Sequence, residues 1–269
     1  MPRERKKIYD KKKSQRRDNQ KRERIEDPLL KIPGRRAVQE LLRRGSKPEY
    51  VQVVLRQRGQ KEDALAAKCR AAGWNVQEVE KADLDTAAED LPHQGFIAYL
   101  REFLYTSFDA LLTSLEGNPA PLLIALDQVQ DVGNLGAILR TAECAGVVGA
   151  ILPRHQAAGI TSAAVRRSAG AAFHLPVTRV NNLSNALDLL REKGFRVFGA
   201  DQEATVPLYH TDLTGPLVLV VGSEGRGLRP GVKRRCDDLI AIPLLGKIDS
   251  LNASAAVAVC LYEAVRQRS

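Results

Sequence analysis

The chain has 269 residues, 44% of them hydrophobic, four cysteines and a formal net charge of +9. That length suits one or two domains. No apolar run approaches the ~18 residues that mark a membrane span, and the basic N-terminus lacks the apolar stretch of a secretory signal. Cys69, Cys144, Cys236 and Cys260 are far apart with no C-x-x-C pair, which excludes a zinc ribbon or disulfide framework and fits a reducing, cytoplasmic setting.

The charge is uneven. Residues 1–25 hold 12 Lys/Arg against 4 Asp/Glu, a net of +8, which leaves +1 for the rest of the chain. Segment 1–31 therefore reads as a disordered tail, suited to anchoring a phosphate backbone through counterion release. Residues 32–100 alternate as a small α/β domain does: helix at 34–42, strand at 50–55, helix at 63–72, strand at 74–79, a further helical stretch, and strand at 95–100. Residues 101–119 read as a connection with one helical piece. A second α/β series fills 120–269, with strands at 122–127, 147–152, 195–199, 217–221 and 238–242. Helical patterns lie between and after them at 134–145, 161–171, 183–193, 228–235 and 252–267. Strands this uniformly apolar belong to a largely parallel sheet covered on both faces.

Three polar clusters interrupt the second series at strand-to-loop transitions, where parallel sheets bind ligands. The first is Asn134-x-Gly136-x-x-x-Arg140-Thr141-Ala142. Asn134 reads as the N-cap of a helix, Gly136 allows another backbone close, and Arg140 sits early on that helix, where a phosphate is welcome. The second is Gly222-x-Glu224-x-x-Gly227, directly after an apolar strand. Its glycines do not follow the dinucleotide fingerprint, and no acidic residue ends a strand about 20 residues on. The third is Ile242-Pro243-x-x-Gly246-x-x-x-Ser250-Leu251-Asn252-x-Ser254, polar groups at the mouth of an apolar helix, costly there unless paired. Gly246-Lys247 lacks the upstream glycine of a Walker A loop. His93, His155, His174 and His210 have no metal-ligand spacing and read as structural or surface residues, and no G-x-S-x-G elbow supports a hydrolase.

In residue type, order and spacing, these three clusters resemble the motifs of the SpoU (TrmH-type) RNA 2′-O-ribose methyltransferases of the SPOUT superfamily. Residues 32–100 resemble the L30e-like RNA-binding domain of many members, an arrangement most similar to the branch acting on guanosine of bacterial 23S rRNA. The resemblance implies a C-terminal parallel sheet with a deep trefoil knot, S-adenosylmethionine as cofactor, RNA as substrate, a homodimer through the knot region, and neither metal nor membrane. It implies that Gly222, Ile242, Leu244, Gly246 and Leu251 line the cofactor pocket, with the loop at Gly199 touching it. It implies that Asn134, Arg140, Glu224, Ser250 and Asn252 form the catalytic set.

In that set, Asn134 would orient the ribose or Arg140, and Glu224 would hold Arg140 or a loop. Ser250 and Asn252 would bind the target nucleotide or shape the knot. The family's arginine is often assigned as the base. A guanidinium stays protonated in proteins, so Arg140 better serves as the cation beside a developing alkoxide and the neighbouring phosphate. A phosphate oxygen or water would then take the proton. Two other readings compete. A tRNA ribose methyltransferase fits the motifs, though compact members of that kind generally lack a domain like 32–100. A non-catalytic RNA-binding or assembly protein fits the tail and the small domain, but has no need of the intact Asn134, Arg140, Glu224 and Asn252 set.

Overall fold

The computed structural model describes residues 29–43, 45–54, 62–89 and 91–269. Residues 1–28 of the segment 1–31 read above as a disordered tail, and Leu55, at the end of an expected strand, lie outside them; the last residues of that segment, Leu30 and Lys31, belong instead to a strand.

The N-terminal unit is a four-stranded mixed sheet in the order β1-β4-β2-β3, built from β1 (Leu30–Pro33), β2 (Tyr50–Val54), β3 (Val76–Val79) and β4 (Phe96–Leu100). β4 pairs antiparallel with β1 and β2, and β2 pairs parallel with β3. Helices α1 (Arg35–Arg43), α2 (Ala64–Ala71) and α3 (Lys81–Ala88) cover it. Asp63 caps α2 through its carboxylate and also holds the Arg35 guanidinium at 2.6 and 2.9 Å, while Arg35 lies 5.1 Å above the Phe96 ring.

The second unit is a seven-stranded sheet in which every pairing is parallel, in the order β7-β6-β5-β10-β8-β11-β9. Its strands are β5 (Leu122–Asp127), β6 (Gly149–Pro153), β7 (Val177–Val180), β8 (Arg196–Ala200), β9 (Val206–Pro207), β10 (Leu217–Gly222) and β11 (Asp238–Ala241). The period of two divides each central strand between two cores. Leu122, Ile124, Leu126, Leu217, Leu219 and Val221 enter one, and Leu123, Ala125, Val218 and Val220 the other. On the first face lie α5 (Val132–Cys144), α6 (Ser162–Arg167) and α9 (Ala253–Arg268). On the second lie α4 (Phe108–Ser114), α7 (Leu183–Glu192) and α8 (Pro230–Lys233). This is the parallel α/β sheet expected from the sequence, preceded by a small α/β unit.

β1, β7 and β9 were not among the expected strands. Each is four residues or fewer, and Lys31 and Arg179 interrupt the apolar pattern of the first two. β1 gains its place only by pairing with β4, 66 or so residues on, a contact that no local periodicity encodes. The expected helix at 161–171 ends earlier, at Arg167, and a short 3-10 turn at Ala171–Phe173 follows. The two units share a continuous apolar core, and Glu89 bridges them, accepting from Lys31 at 2.9 Å and from Arg166 at 2.6 Å.

The C-terminal end of α9 is tied down by its own side chains. Arg268 donates to the carbonyls of Ala120, Leu213 and Gly215 at 2.9, 2.9 and 2.6 Å. Gln267 donates to Thr211 and accepts from the Leu213 amide. Buried Glu263 receives a two-pronged bond from Arg266 and a third from Gln267, and these donors pull its pKa from 4.5 down to about 2. A carboxylate with a depressed folded pKa stabilises fully above its unfolded pKa and loses that contribution as pH falls toward the folded value. Urea midpoints of wild type and Glu263→Gln should therefore differ most above about pH 5 and converge between pH 4.5 and 2. A gap that stays constant with pH would refute the assignment.

Candidate active site

The C-terminal edge of the parallel sheet carries the site. The strand order reverses between β5 and β10: the chain moves outward through β6 and β7, then returns to the other side for β8. Such a switch point opens a crevice beyond the strand ends. Here Asp127 and Gly222 end the two strands as register partners.

Asp127 is completely buried. Its carboxylate accepts from the Arg229 amide at 2.8 Å, from Arg229 Nε at 2.8 Å, and pairs with Nη2 at 2.7 Å. This holds the loop after β10 against the end of β5. At the start of that loop Gly222 leaves no room for a side chain, since a Cβ would lie 2.2 Å from the Gly227 carbonyl. Ser223 and Gly227 exchange backbone hydrogen bonds at 3.2 and 2.9 Å, so residues 223–227 form a tight loop with Glu224 projecting from it.

Glu224 meets two amides from distant segments. Asn134 Nδ2 donates to Glu224 Oε2 at 3.2 Å, and Asn252 Nδ2 donates to Asn134 Oδ1 at 2.9 Å and to Glu224 Oε2 at 3.4 Å. One residue from each of the three sequence clusters thus enters a single network. Asp131, not Asn134, caps α5, accepting from the Asn134 amide at 2.6 Å, so the Asn134 side chain is released from capping and faces Glu224. Asn252 caps α9, its Oδ1 accepting from the Ser254 amide and hydroxyl at 3.0 and 2.6 Å. Gly136 is a packing glycine: a Cβ would meet the Ala164 carbonyl at 2.9 Å, which allows α6 to lie close on α5.

A cavity opens beside this network, mostly apolar with a few polar groups, as small-molecule sites are. Val221, Ile240, Ile242, Leu244, Leu251 and Ala256 make its apolar walls, and Asp201, Gln202, Ser223, Glu224 and Ser250 its polar ones. Ser223 Oγ is buried there with no protein partner, a hydroxyl that a ligand would satisfy. Asp201 forms an ion pair with Lys233, whose ammonium is raised above its usual pKa chiefly by that bond.

Of the residues expected from the sequence, Gly222, Ile242, Leu244, Leu251, Glu224 and Ser250 line this cavity, and Asn134 and Asn252 join it through Glu224. Gly199 sits behind the wall, its missing side chain accommodating Leu228, Leu239 and Cys236, and Ala200, Asp201 and Gln202 line the cavity instead. Gly246 is exposed and outside the lining. Arg140 is exposed on α5 and makes no side-chain bond among the described residues. Six helical steps turn it about 120° around the axis from Asn134, away from the Glu224 network. Ser223 and the Asp127–Arg229 pair were not singled out in the sequence. The available signal for Asp127 is a carboxylate closing an otherwise apolar strand, which demands a buried partner.

Comparison with known proteins agrees with this geometry. Residues 121–262 match the SpoU rRNA Methylase family, and residues 31–106 match the module described as RNA 2′-O ribose methyltransferase substrate binding. The chain is 40% identical over 241 residues to the 23S rRNA (guanosine-2′-O-)-methyltransferase RlmB of Pectobacterium atrosepticum, covering 88% of this chain and 98% of that one. The protein of the same name from Photobacterium profundum is 43% identical over 204 residues, 76% of this chain and 83% of the other. A crystal structure of an AdoMet-bound rRNA methyltransferase from Sinorhizobium meliloti matches with a TM-score of 0.71 and 28% identity, covering 91% of this chain and 90% of that one. With more than half of its length matched by the family and its three motifs drawn into one network, the chain belongs to the SpoU rRNA methylase family.

Proposed function

We propose that this protein transfers the methyl group of S-adenosylmethionine to a ribose 2′-hydroxyl of RNA, with a guanosine of 23S rRNA as target. The observation that carries this reading is the Asn134–Glu224–Asn252 network closing beside a largely apolar cavity at the switch point. The relatives named above support the rRNA guanosine, and the match of residues 31–106 to a substrate-binding module supports RNA over a small-molecule acceptor.

The cavity fits the cofactor: its apolar walls suit an adenine and ribose, and the orphaned Ser223 Oγ and the carboxylates of Asp201 and Glu224 suit the polar and cationic parts. When bound, S-adenosylmethionine supplies an electrophilic methyl group. The chain's own residues supply alignment and charge. Asn134 and Asn252, locked to Glu224, would present fixed dipoles to the target ribose, and Ser250 would contact the same nucleotide. The Arg140 guanidinium would stabilise the negative charge growing on the 2′-oxygen and clamp the adjacent phosphate, while a phosphate oxygen or water accepts the proton.

Arg140 points away from the network of its own chain, so the reading assigns it to the site of a second copy in a homodimer. The uncovered apolar side chains Leu245 (100% exposed) and Ile248 (77% exposed) beside the cavity support that assembly. The trefoil knot implied by the resemblance would be formed where residues 222–227 and 242–252 cross before α9 returns to α5, consistent with β10 lying between β5 and β8.

Four measurements test the reading. Labelled S-adenosylmethionine and 23S rRNA should yield 2′-O-methylguanosine on nucleoside analysis, and its absence beside an active control enzyme would overturn it. Gly222→Ala should lower cofactor affinity about tenfold or more while circular dichroism stays native, because the 223–227 loop must move; unchanged affinity would remove that loop from the pocket. Arg140→Ala should lower kcat about 100-fold or more with cofactor affinity intact. At a cofactor concentration far below the Kd of Gly222→Ala, mixed dimers of Arg140→Ala with Gly222→Ala should regain roughly a quarter of wild-type activity if the arginine acts across the interface, and close to none if it acts within one chain.

A further inference from the structure

The cofactor cavity occupies one side of the switch point. On the other side of the Asp127–Arg229 pair a second crevice of about 920 Å³ opens beyond the ends of β6 and β7. His155, Gln156, Asn181 and Arg229 form its polar walls over Pro153 and Leu183. Its chemistry is the reverse of the first cavity. No carboxylate lines it, whereas Asp201 and Glu224 line the other. Its one cation, Arg229, is held rigid by the buried Asp127 through Nε, Nη2 and the backbone amide, which leaves Nη1 for a ligand. His155 and Asn181 spend no side-chain hydrogen bond on any described residue.

The crevice is also wired to the methylation site. Gln156 bonds the side chain of Gln128 and accepts from Gln130 through its carbonyl. Gln128 and Gln156 both hold left-handed backbone, at φ 60° and 58°, a cost that folds tolerate where a loop has to be aimed. Three residues after Gln128, Asp131 caps α5 and sets Asn134 facing Glu224. Arg229 stands two residues beyond Gly227 of the cofactor loop. Whatever lies in the crevice therefore meets Gln156, which is bonded to the segment leading into α5, and Arg229, which follows the cofactor loop.

Resting on the methyl-transfer reading above, we propose that this crevice is a second RNA subsite, receiving the unstacked base of a nucleotide next to the methylated one. Asn181 carries the donor and acceptor pair that reads a base edge, and Gln156, whose amide oxygen already accepts from Gln128, keeps its amide N–H groups to donate. The His155 ring offers a stacking face, as single-stranded RNA recognition requires. Arg229 Nη1 faces the phosphate. The absence of a carboxylate keeps the crevice compatible with a polyanion.

The test uses the full chain and a short synthetic 23S rRNA hairpin, with and without an abasic nucleotide at each position flanking the methylated one. The double variant His155→Ala, Asn181→Ala leaves Arg229 and the catalytic network in place. It should weaken the Kd for the hairpin about tenfold or more, from loss of one stacked base, with S-adenosylmethionine affinity unchanged. One abasic position should weaken wild type by a similar factor and leave the variant unaffected. Equal Kd for variant and wild type, or an abasic penalty of the same size in both at every position, overturns the subsite. The binding arm needs no turnover, so a wild type that binds but transfers no methyl counts against the reaction alone, and the Kd comparison still decides the crevice.

Discussion

The buried Asp127–Arg229 pair is the constraint on which the functional edge of this molecule depends. A fully desolvated carboxylate costs several kcal/mol unless its partner and hydrogen bonds are well placed, and here both oxygens are engaged by one residue through side chain and backbone together. The pair sits where β5 and β10 end side by side. It therefore fixes the path of residues 222–229, and that loop is the wall between the two crevices. Had the strand ended on an apolar residue, the loop after β10 would have had no anchor at the switch point.

From this anchor the division of labour on the edge follows. On one side the strand ends of β8, β10 and β11 present Ala200, Val221 and Ile240, apolar surface for a flat heterocycle. On the other, β6 ends in Pro153 and Asn181 follows directly after β7, and the surface turns polar. Between them the first turn of α5 contributes Asn134. Because Asp131 takes the capping role, the Asn134 amide is available to bind Glu224 and Asn252 at once. Asn252 divides its amide the other way: its Oδ1 caps its own helix, and its Nδ2 donates to Asn134 and Glu224.

Much of this was legible in the sequence, for physical reasons. Strands β5 and β10 are so apolar that burial on both faces was the only reading, and the polar residues that follow them had to be paired or functional. Asn134, Glu224 and Asn252 were identifiable by type and spacing. What could not be read is what depends on partners far apart in the chain: that Arg229 answers Asp127 across 102 positions, that Gly199 serves packing against Leu228 and Cys236 and not the cavity wall, and that Lys31 belongs to a strand. His155 is the sharpest case. Its spacing reads only as that of a structural or surface residue, and the fold brings it beside Asn181 and Arg229.

Two further features follow from a single requirement. The segment between β11 and α9 leaves Leu245 and Ile248 uncovered, although apolar side chains of that size in one short loop would ordinarily be buried. Arg140 stands on the exposed side of α5, with no bond to any described residue, although its motif partners Asn134 and Gly136 are fully used. An uncovered apolar loop and a cation turned about 120° from its motif partner would both be accommodated by a second surface. In the proposed homodimer one symmetric contact meets both needs, because an interface that buries the loop of one copy presents the same face of the other. On that reading methyl transfer requires assembly: the cofactor cavity is complete within one chain, and the charge that favours the alkoxide arrives only with the second.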